Sequence, residues 1–172
     1  MKAPKKKIGV ITAICGPPNS GKSKEGIRRI EDSKRWNYIY DPHREYQNRL
    51  SKEALSRTTL FYTLKSFKEN LKNFQDANII VEETITFLRM FRDDEIADLL
   101  SSICHDGNAV FLIFHAVKDI PIYCLTFINY IVVLPTGEDF EFLKRSRTKL
   151  HKILVEEKPQ LPYTFCNQPP QF

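Results

Sequence analysis

The chain has 172 residues, a formal net charge of +5 and a pI near 9.0. This length fits one domain with a full apolar core, and the modest basic excess is compatible with a polyanionic partner. The longest apolar stretch, "IYCLTFINYIVVL", is too short and too interrupted for a membrane span. The four cysteines form no C-x-x-C pair, so neither a zinc site nor a disulfide framework is predicted, and a reducing compartment is expected.

Short apolar runs alternate with amphipathic segments along the chain. The patterns predict strands at 8–14, 37–40, 58–63, 78–81, 109–114 and 130–134, and helices at 21–33, 64–74 and 84–104. Such alternation predicts an α/β fold with a mostly parallel central sheet flanked by helices. The basic opening "MKAPKKK" is not interpreted as a signal peptide, because cleavage there would remove the first strand.

We expect a main domain at 1–155 and a proline-rich tail at 156–172. Within the tail, "PYTFC" has the composition of an additional edge strand. In a parallel sheet of this type, ligands bind at the carboxyl ends of the strands. Polar residues that directly follow predicted strands are therefore the candidates for function.

The first predicted strand runs into "GPPNSGKS" at 16–23, which fits the phosphate-loop pattern G-x-x-x-x-G-K-[ST] without substitution. Its glycines let the backbone approach a phosphate, and the amides that follow form an anion-binding nest at a helix start. Lys22 is expected to reach the β- and γ-phosphates, and the Ser23 hydroxyl to ligate Mg²⁺. The predicted nucleotide-binding residues are Gly16, Pro17, Pro18, Asn19, Ser20, Gly21, Lys22, Ser23 and Lys24.

Two acids follow the apolar strand in "NIIVEE" at 78–83, the form of a Walker B strand. Glu82 stands where this motif usually has aspartate and is expected to hold Mg²⁺ directly or through water, while Glu83 is expected to polarise the attacking water. The alternative is a solvated acidic pair at a strand–helix junction, where acids also suit the helix N-terminus.

His115 ends the next strand, "AVFLIFH", and is a candidate sensor of the γ-phosphate. The alternative is a hydrogen-bonded histidine at a strand terminus. His105 lies in the turn "CHDGN" and is assigned no chemical role.

The stretches "GPPNSGKS", "DPHREY", "NIIVEE" and "FLIFH" follow one another in an order that resembles the FtsK–HerA superfamily of DNA-pumping ATPases, especially the genome-packaging ATPases of viruses. The resemblance covers residues 5–140 and also includes "HAVKDIPIYCLTFINYIVVLPTGE". It implies a RecA-like P-loop NTPase fold of the additional-strand, catalytic-glutamate type. It also implies Mg²⁺-dependent ATP hydrolysis, with Lys22, Glu83 and His115 as catalytic residues, coupled to DNA movement into a capsid.

The same resemblance implies a homo-oligomeric ring in which an arginine of the neighbouring subunit completes the site. Arg89 and Arg92 are the first candidates for that arginine, followed by Arg145 and Arg147. DNA would be contacted through its phosphates, independently of sequence, with the basic stretches at 5–7 and 144–149 as candidate contacts. The implied location is the host cytoplasm or the virion, with a capsid vertex protein as a further partner.

Two alternatives stay open. The stretch "GPPNSGKSKEGIRRI" is also similar to the loop of zinc-containing thymidine kinases, although the paired C-x-x-C motifs and the lasso of that family are missing. The second alternative is a nucleotide-binding assembly factor that does not hydrolyse ATP.

Overall fold

The computed structural model describes residues 9–134 and 164–165. The strands within them are β1 (Val10–Cys15), β2 (Asn37–Tyr40), β3 (Thr58–Phe61), β4 (Asn78–Val81), β5 (Ala109–Phe114), β6 (Tyr130–Val133) and β7 (Thr164–Phe165). The α-helices are α1 (Lys22–Glu31), α2 (Lys52–Ser56), α3 (Leu64–Asn70), α4 (Thr84–Leu88) and α5 (Asp93–His105). Short 3₁₀ turns lie at Leu71–Asn73, Val117–Asp119 and Ile122–Thr126.

The strands form one sheet in the order β3-β2-β4-β5-β1-β6-β7, and every neighbouring pair is parallel. Strand β1 lies between β5 and β6, and β4 lies on the far side of β5. The carboxyl ends of β1, β5 and β4 are therefore neighbours at one edge of the sheet. The predicted α/β fold with a parallel sheet flanked by helices is confirmed.

Apolar residues cover both faces of the sheet. Along β4, Ile79 and Val81 belong to the core cluster that contains the buried rings of α3 and α4, whereas Ile80 belongs to the cluster beneath α1. Alternate residues of a strand point to opposite faces, so a wholly buried strand must be apolar at nearly every position. This requirement explains the continuous apolar runs that made the strands recognisable in the sequence.

The helical prediction at 84–104 is wrong in one respect, because two helices occupy this segment. Arg92 has an extended backbone (φ −75°, ψ 157°), and its N–H donates to Oε2 of Glu95 at 3.0 Å, which starts α5 as a separate helix. Helix α2, which the sequence analysis did not predict, begins where the Ser51 hydroxyl accepts a hydrogen bond from the Ala54 N–H at 3.1 Å. The strands predicted at 37–40, 78–81 and 109–114 occur with the predicted ends, and the other predicted elements occur with ends displaced by a few residues.

Several sequence-based expectations fall outside the described residues. They include the domain boundary at 155, Arg145 and Arg147, and the basic stretches at 5–7 and 144–149. Strand β7 extends the sheet beside β6, within the stretch "PYTFC". Across the described residues, no helix has both the length and the apolar character needed to cross a bilayer.

Candidate functional site

The loop "GPPNSGKS" joins β1 to α1 at the centre of the sheet edge. Gly21 has φ 93° and Asn19 has φ 63°, left-handed values that favour glycine and asparagine. A Cβ on Gly16 would collide with the Ser20 hydroxyl and lie 2.9 Å from the carbonyl oxygen of Leu134. Both fixed glycines of the pattern are therefore required by the backbone of this loop.

The N-terminus of α1 has no side-chain cap at Gly21. The acid in its first turn, Glu25, is paired with basic residues of the same helix: the Nε–H groups of Arg28 and Arg29 each donate a hydrogen bond of 2.8 Å to its carboxylate. The first-turn amides of a helix have no partner within the helix and carry a partial positive charge. This end of α1 can therefore accept an anion such as a phosphate.

The Lys22 ammonium lies inside the loop and donates hydrogen bonds to the carbonyl oxygens of Gly16 at 2.6 Å and Pro17 at 2.7 Å. Burial lowers the pKa of Lys22, and the negative charge of Glu82 is the largest effect in the opposite direction. Glu83 acts on the pKa of Lys22 in the same direction as Glu82. The lysine predicted to bind phosphate is therefore electrostatically coupled to both acids that follow β4.

Glu82 is partly buried directly after β4. Its Oε1 accepts a hydrogen bond of 2.6 Å from the Tyr46 hydroxyl, which comes from the loop after β2. Burial raises the pKa of Glu82, while the hydrogen bond from Tyr46 lowers it. A short bond from a hydroxyl to a carboxylate is among the stronger hydrogen bonds in proteins.

Glu83 adopts the left-handed conformation (φ 51°, ψ 46°) at the start of α4. Its Oε1 lies 3.5 Å from Nε2 of His115, at the end of β5, and 3.5 Å from Nε2 of His43, in the loop after β2. A non-glycine residue with this backbone is strained by about 1–2 kcal/mol, and such strain concentrates at functional sites. The structure thus places the carboxylate of Glu83, a residue with a strained backbone, between two imidazoles beside the phosphate loop.

The donor chemistry fits a nucleotide with Mg²⁺. The Ser23 hydroxyl and the Glu82 carboxylate offer oxygen donors of the kind that Mg²⁺ prefers, and this ion usually takes further ligands from water and phosphate. Ser20 is 6% exposed, and its hydroxyl has no hydrogen-bond partner within the described residues, so the loop contains an unsatisfied polar group. Within the described part of the chain, no group of three or more His, Cys, Asp or Glu side chains is placed to hold a metal ion.

The predicted site residues divide into two sets in the structure. Lys22 interacts electrostatically with Glu82 and Glu83, and Glu83 lies at ion-pair distance from His115. By contrast, the side chains of Pro18, Asn19 and Lys24 are exposed, as are the two arginines Arg89 and Arg92. Arg92 lies 3.6 Å from Asp94 and 3.5 Å from Glu95, on the surface at the start of α5.

The stretch "DPHREY" carried part of the family resemblance, but sequence reasoning assigned no role to Asp41, His43 or Tyr46. Asp41 and Tyr46 are fully buried, and both belong to "DPHREY" after β2, which reads as a surface turn. The available signal was the position of this stretch at the carboxyl end of a strand next to β4. That position brings its side chains toward Glu82 and Glu83.

No family model matches the sequence. Among solved structures, the genome packaging NTPase B204 from Sulfolobus turreted icosahedral virus 2, in complex with ATP-gammaS, aligns with TM-score 0.60 and 18% identity over 92% of this chain and 89% of its own. The DNA-packaging ATPase B204 from Sulfolobus turreted icosahedral virus aligns with TM-score 0.58 and 17% identity over 88% of each chain. The RadB recombinase aligns with TM-score 0.45 and 19% identity over 64% of this chain and 62% of its own. At these identities the likeness concerns the fold, and the chain has the RecA-like P-loop NTPase fold.

Proposed function

We propose that this protein is an Mg²⁺-dependent ATPase that moves DNA, and that it packages a viral genome into a capsid. The observation that carries the proposal is the arrangement of Lys22, Glu82 and Glu83 at one sheet edge, with His115 3.5 Å from Glu83. A phosphate-loop lysine beside two acids supplies the parts that phosphoryl transfer to water requires. The alternative of a solvated acidic pair is less favoured, because both carboxylates have buried or imidazole partners.

In this proposal each group has one task. The open amides of α1 and Lys22 bind the phosphates, and Ser23 and Glu82 hold Mg²⁺, which when bound offsets phosphate charge. Glu83 orients and polarises the attacking water, and His115 detects the γ-phosphate through its position beside Glu83.

The packaging role is supported by the extent of the fold likeness. B204 is described as a packaging NTPase, and its alignment includes about nine-tenths of both chains (92% and 89%) rather than the phosphate loop alone. We extend the proposal to a homo-oligomeric ring that contacts DNA phosphates and a capsid vertex protein, in the host cytoplasm or the virion. Arg89 and Arg92 are exposed after β4 and are candidates to complete a neighbouring subunit's site.

The test is phosphate release from ATP, measured with and without double-stranded DNA. We expect Mg²⁺-dependent hydrolysis that DNA stimulates and that Lys22→Ala abolishes. Lys34→Ala is the matched control, because it removes an exposed lysine beyond the C-terminus of α1. Full activity of Lys22→Ala would refute the assignment of the site.

A parallel assay for phosphate transfer to deoxythymidine tests the nucleoside kinase alternative. Transfer to the nucleoside without DNA-stimulated hydrolysis would replace the motor with a kinase. The assembly-factor alternative would be favoured if the assembled full chain, in the presence of DNA, binds nucleotide but neither hydrolyses it nor transfers phosphate.

A further inference from the structure

Tyr46 is fully buried although it belongs to a loop of charged and polar residues, "DPHREYQN". Its hydroxyl is 2.6 Å from Oε1 of Glu82, the carboxylate proposed to hold Mg²⁺. The side chain thus reaches from the loop after β2 to the end of β4, which is the neighbouring strand.

Asp41 fixes the loop that presents Tyr46. Its carboxylate is completely buried and accepts two backbone hydrogen bonds, from the Glu45 N–H at 2.9 Å and from the Tyr46 N–H at 3.0 Å. An aspartate that bonds to amides a few residues ahead holds a turn in one conformation. The position of the Tyr46 backbone is therefore set by a buried anchor rather than by contacts at the surface.

Gly26 of helix α1 leaves room for the Tyr46 hydroxyl. A Cβ at this position of α1 would lie 2.6 Å from the oxygen of Tyr46, 3.5 Å from its Cζ and 3.6 Å from Cδ1 of Ile80. Glycine inside a helix costs about 1 kcal/mol relative to alanine. Helix α1, which follows the phosphate loop, thus has a helix-destabilising glycine at the point where the Tyr46 hydroxyl lies against it.

The hydrogen bond occupies one of the two oxygens of Glu82. Within residues 9–134 no donor is bonded to the other oxygen, Oε2. Glutamate has one more rotatable bond than aspartate, which is the usual residue at this position of the motif, so its carboxylate loses more rotamer freedom when it binds a metal. A fixed hydroxyl on Oε1 removes that freedom before the metal arrives.

We propose that Tyr46 is the positioning residue for Glu82, and that it orients the carboxylate so that Oε2 is presented to Mg²⁺ of the bound nucleotide. This inference rests on the proposed function. Partners that orient a metal ligand in this way typically contribute about 10- to 100-fold to metal affinity or activity.

The test is Tyr46→Phe in the full chain, which removes one oxygen and keeps the ring. The affinity for a fluorescent ATP analogue is measured in Mg²⁺ and in EDTA, and the Mg²⁺ concentration for half-maximal binding is determined by titration. We expect an unchanged affinity in EDTA and a half-maximal Mg²⁺ concentration raised about tenfold. Tyr62→Phe is the matched control, since its hydroxyl lies after the adjacent strand β3 and donates to Gln47 rather than to a carboxylate.

Gly26→Ala gives an independent variant that keeps the hydroxyl but displaces it. We expect this variant, like Tyr46→Phe, to raise the half-maximal Mg²⁺ concentration.

If wild type shows Mg²⁺-dependent binding and Tyr46→Phe titrates as wild type does, the positioning role is refuted and the proposed function stands. If both affinities of Tyr46→Phe fall equally, Tyr46 is a packing residue and the inference also fails. If wild type itself binds nucleotide without regard to Mg²⁺, the proposed function fails and the inference with it.

Discussion

Glu83 and His115 meet across two neighbouring strand ends, with Nε2 of the imidazole 3.5 Å from Oε1 of the carboxylate. The two residues are 32 positions apart in the sequence, and the register of β4 beside β5 brings them together. His43 approaches the same oxygen at 3.5 Å from the loop after β2. Residues that follow three different strands, Glu83 after β4, His115 after β5 and His43 after β2, thus meet at one carboxylate, at the end of the parallel sheet where ligands bind.

Glu83→Gln is expected to bind ATP with near wild-type affinity and to hydrolyse it about 100- to 10,000-fold more slowly, the range for loss of a general base. The amide keeps the size of the side chain but cannot accept a proton from water. Single-turnover hydrolysis and analogue binding measure the two effects separately. Glu45→Gln is the control, because Glu45 is an exposed acid that pairs with Arg49 at 3.1 Å. Unchanged turnover in Glu83→Gln would assign the base to another residue.

The backbone of Glu83 predicts a difference between two variants that both lack the carboxylate. Alanine retains the strain of the left-handed conformation, whereas glycine adopts it freely. We expect Glu83→Gly to be more stable than Glu83→Ala by about 1 kcal/mol, or about 2–4 °C in melting temperature for a chain of this size. Equal melting temperatures would show that the left-handed backbone at this position costs nothing.

The sequence predicted the fold class and most of the residues of the candidate site. Continuous apolar strands predicted the parallel sheet, and the phosphate-loop pattern located Gly16 to Ser23 because its spacing is fixed by backbone geometry. Glu82, Glu83 and His115 were found because each directly follows a strand. In each case the signal was local and lay within a few residues of a recognisable element.

Tyr46 and His43 could not be assigned in the same way. Their partners, Glu82 and Glu83, are 36 and 40 positions further along the chain, and only the pairing of β2 with β4 brings them close. The break between α4 and α5 was missed for a related reason. The apolar spacing continues through it, and the bond from the Arg92 N–H to Glu95 that starts α5 is not visible in periodicity.

Asn108→Ala is expected to destabilise the fold without altering the site. This buried side chain accepts a hydrogen bond from the Ala77 N–H at 3.0 Å and donates to the carbonyls of Phe74 at 2.8 Å and Ile103 at 3.0 Å. Loss of these bonds leaves buried backbone groups unpaired, at a cost of about 3 kcal/mol in unfolding free energy.

Thermal unfolding checks this effect, with an expected fall of about 6–12 °C in melting temperature. The exposed Asn73, changed to alanine, is the matched control. A fall in Asn108→Ala no larger than in the control would show that the three bonds contribute little to stability.

Glu31 and Ser51 give a pH-dependent contribution to stability. The Glu31 carboxylate accepts bonds of 2.7 Å from the Ser51 N–H and from its hydroxyl, which joins the end of α1 to the start of α2. The backbone bond from Ser51 is the largest cause that lowers the pKa of Glu31 in the folded chain. Because the folded pKa lies below the unfolded value of about 4.3, the contribution is complete above that value and is lost as the pH falls through the folded pKa.

Denaturant unfolding of wild type and Glu31→Gln at several pH values measures this contribution. We expect wild type to be the more stable protein by a constant margin between pH 6 and 8, a range that lies about two units or more above the unfolded pKa. The margin should shrink steadily below that pKa, because protonation removes the charge that Ser51 stabilises. Glu69→Gln, which removes an acid at an exposed position of α3, is the matched control. A margin for Glu31→Gln that stays the same at low pH would mean that the Ser51 bonds do not depend on the charge of the carboxylate.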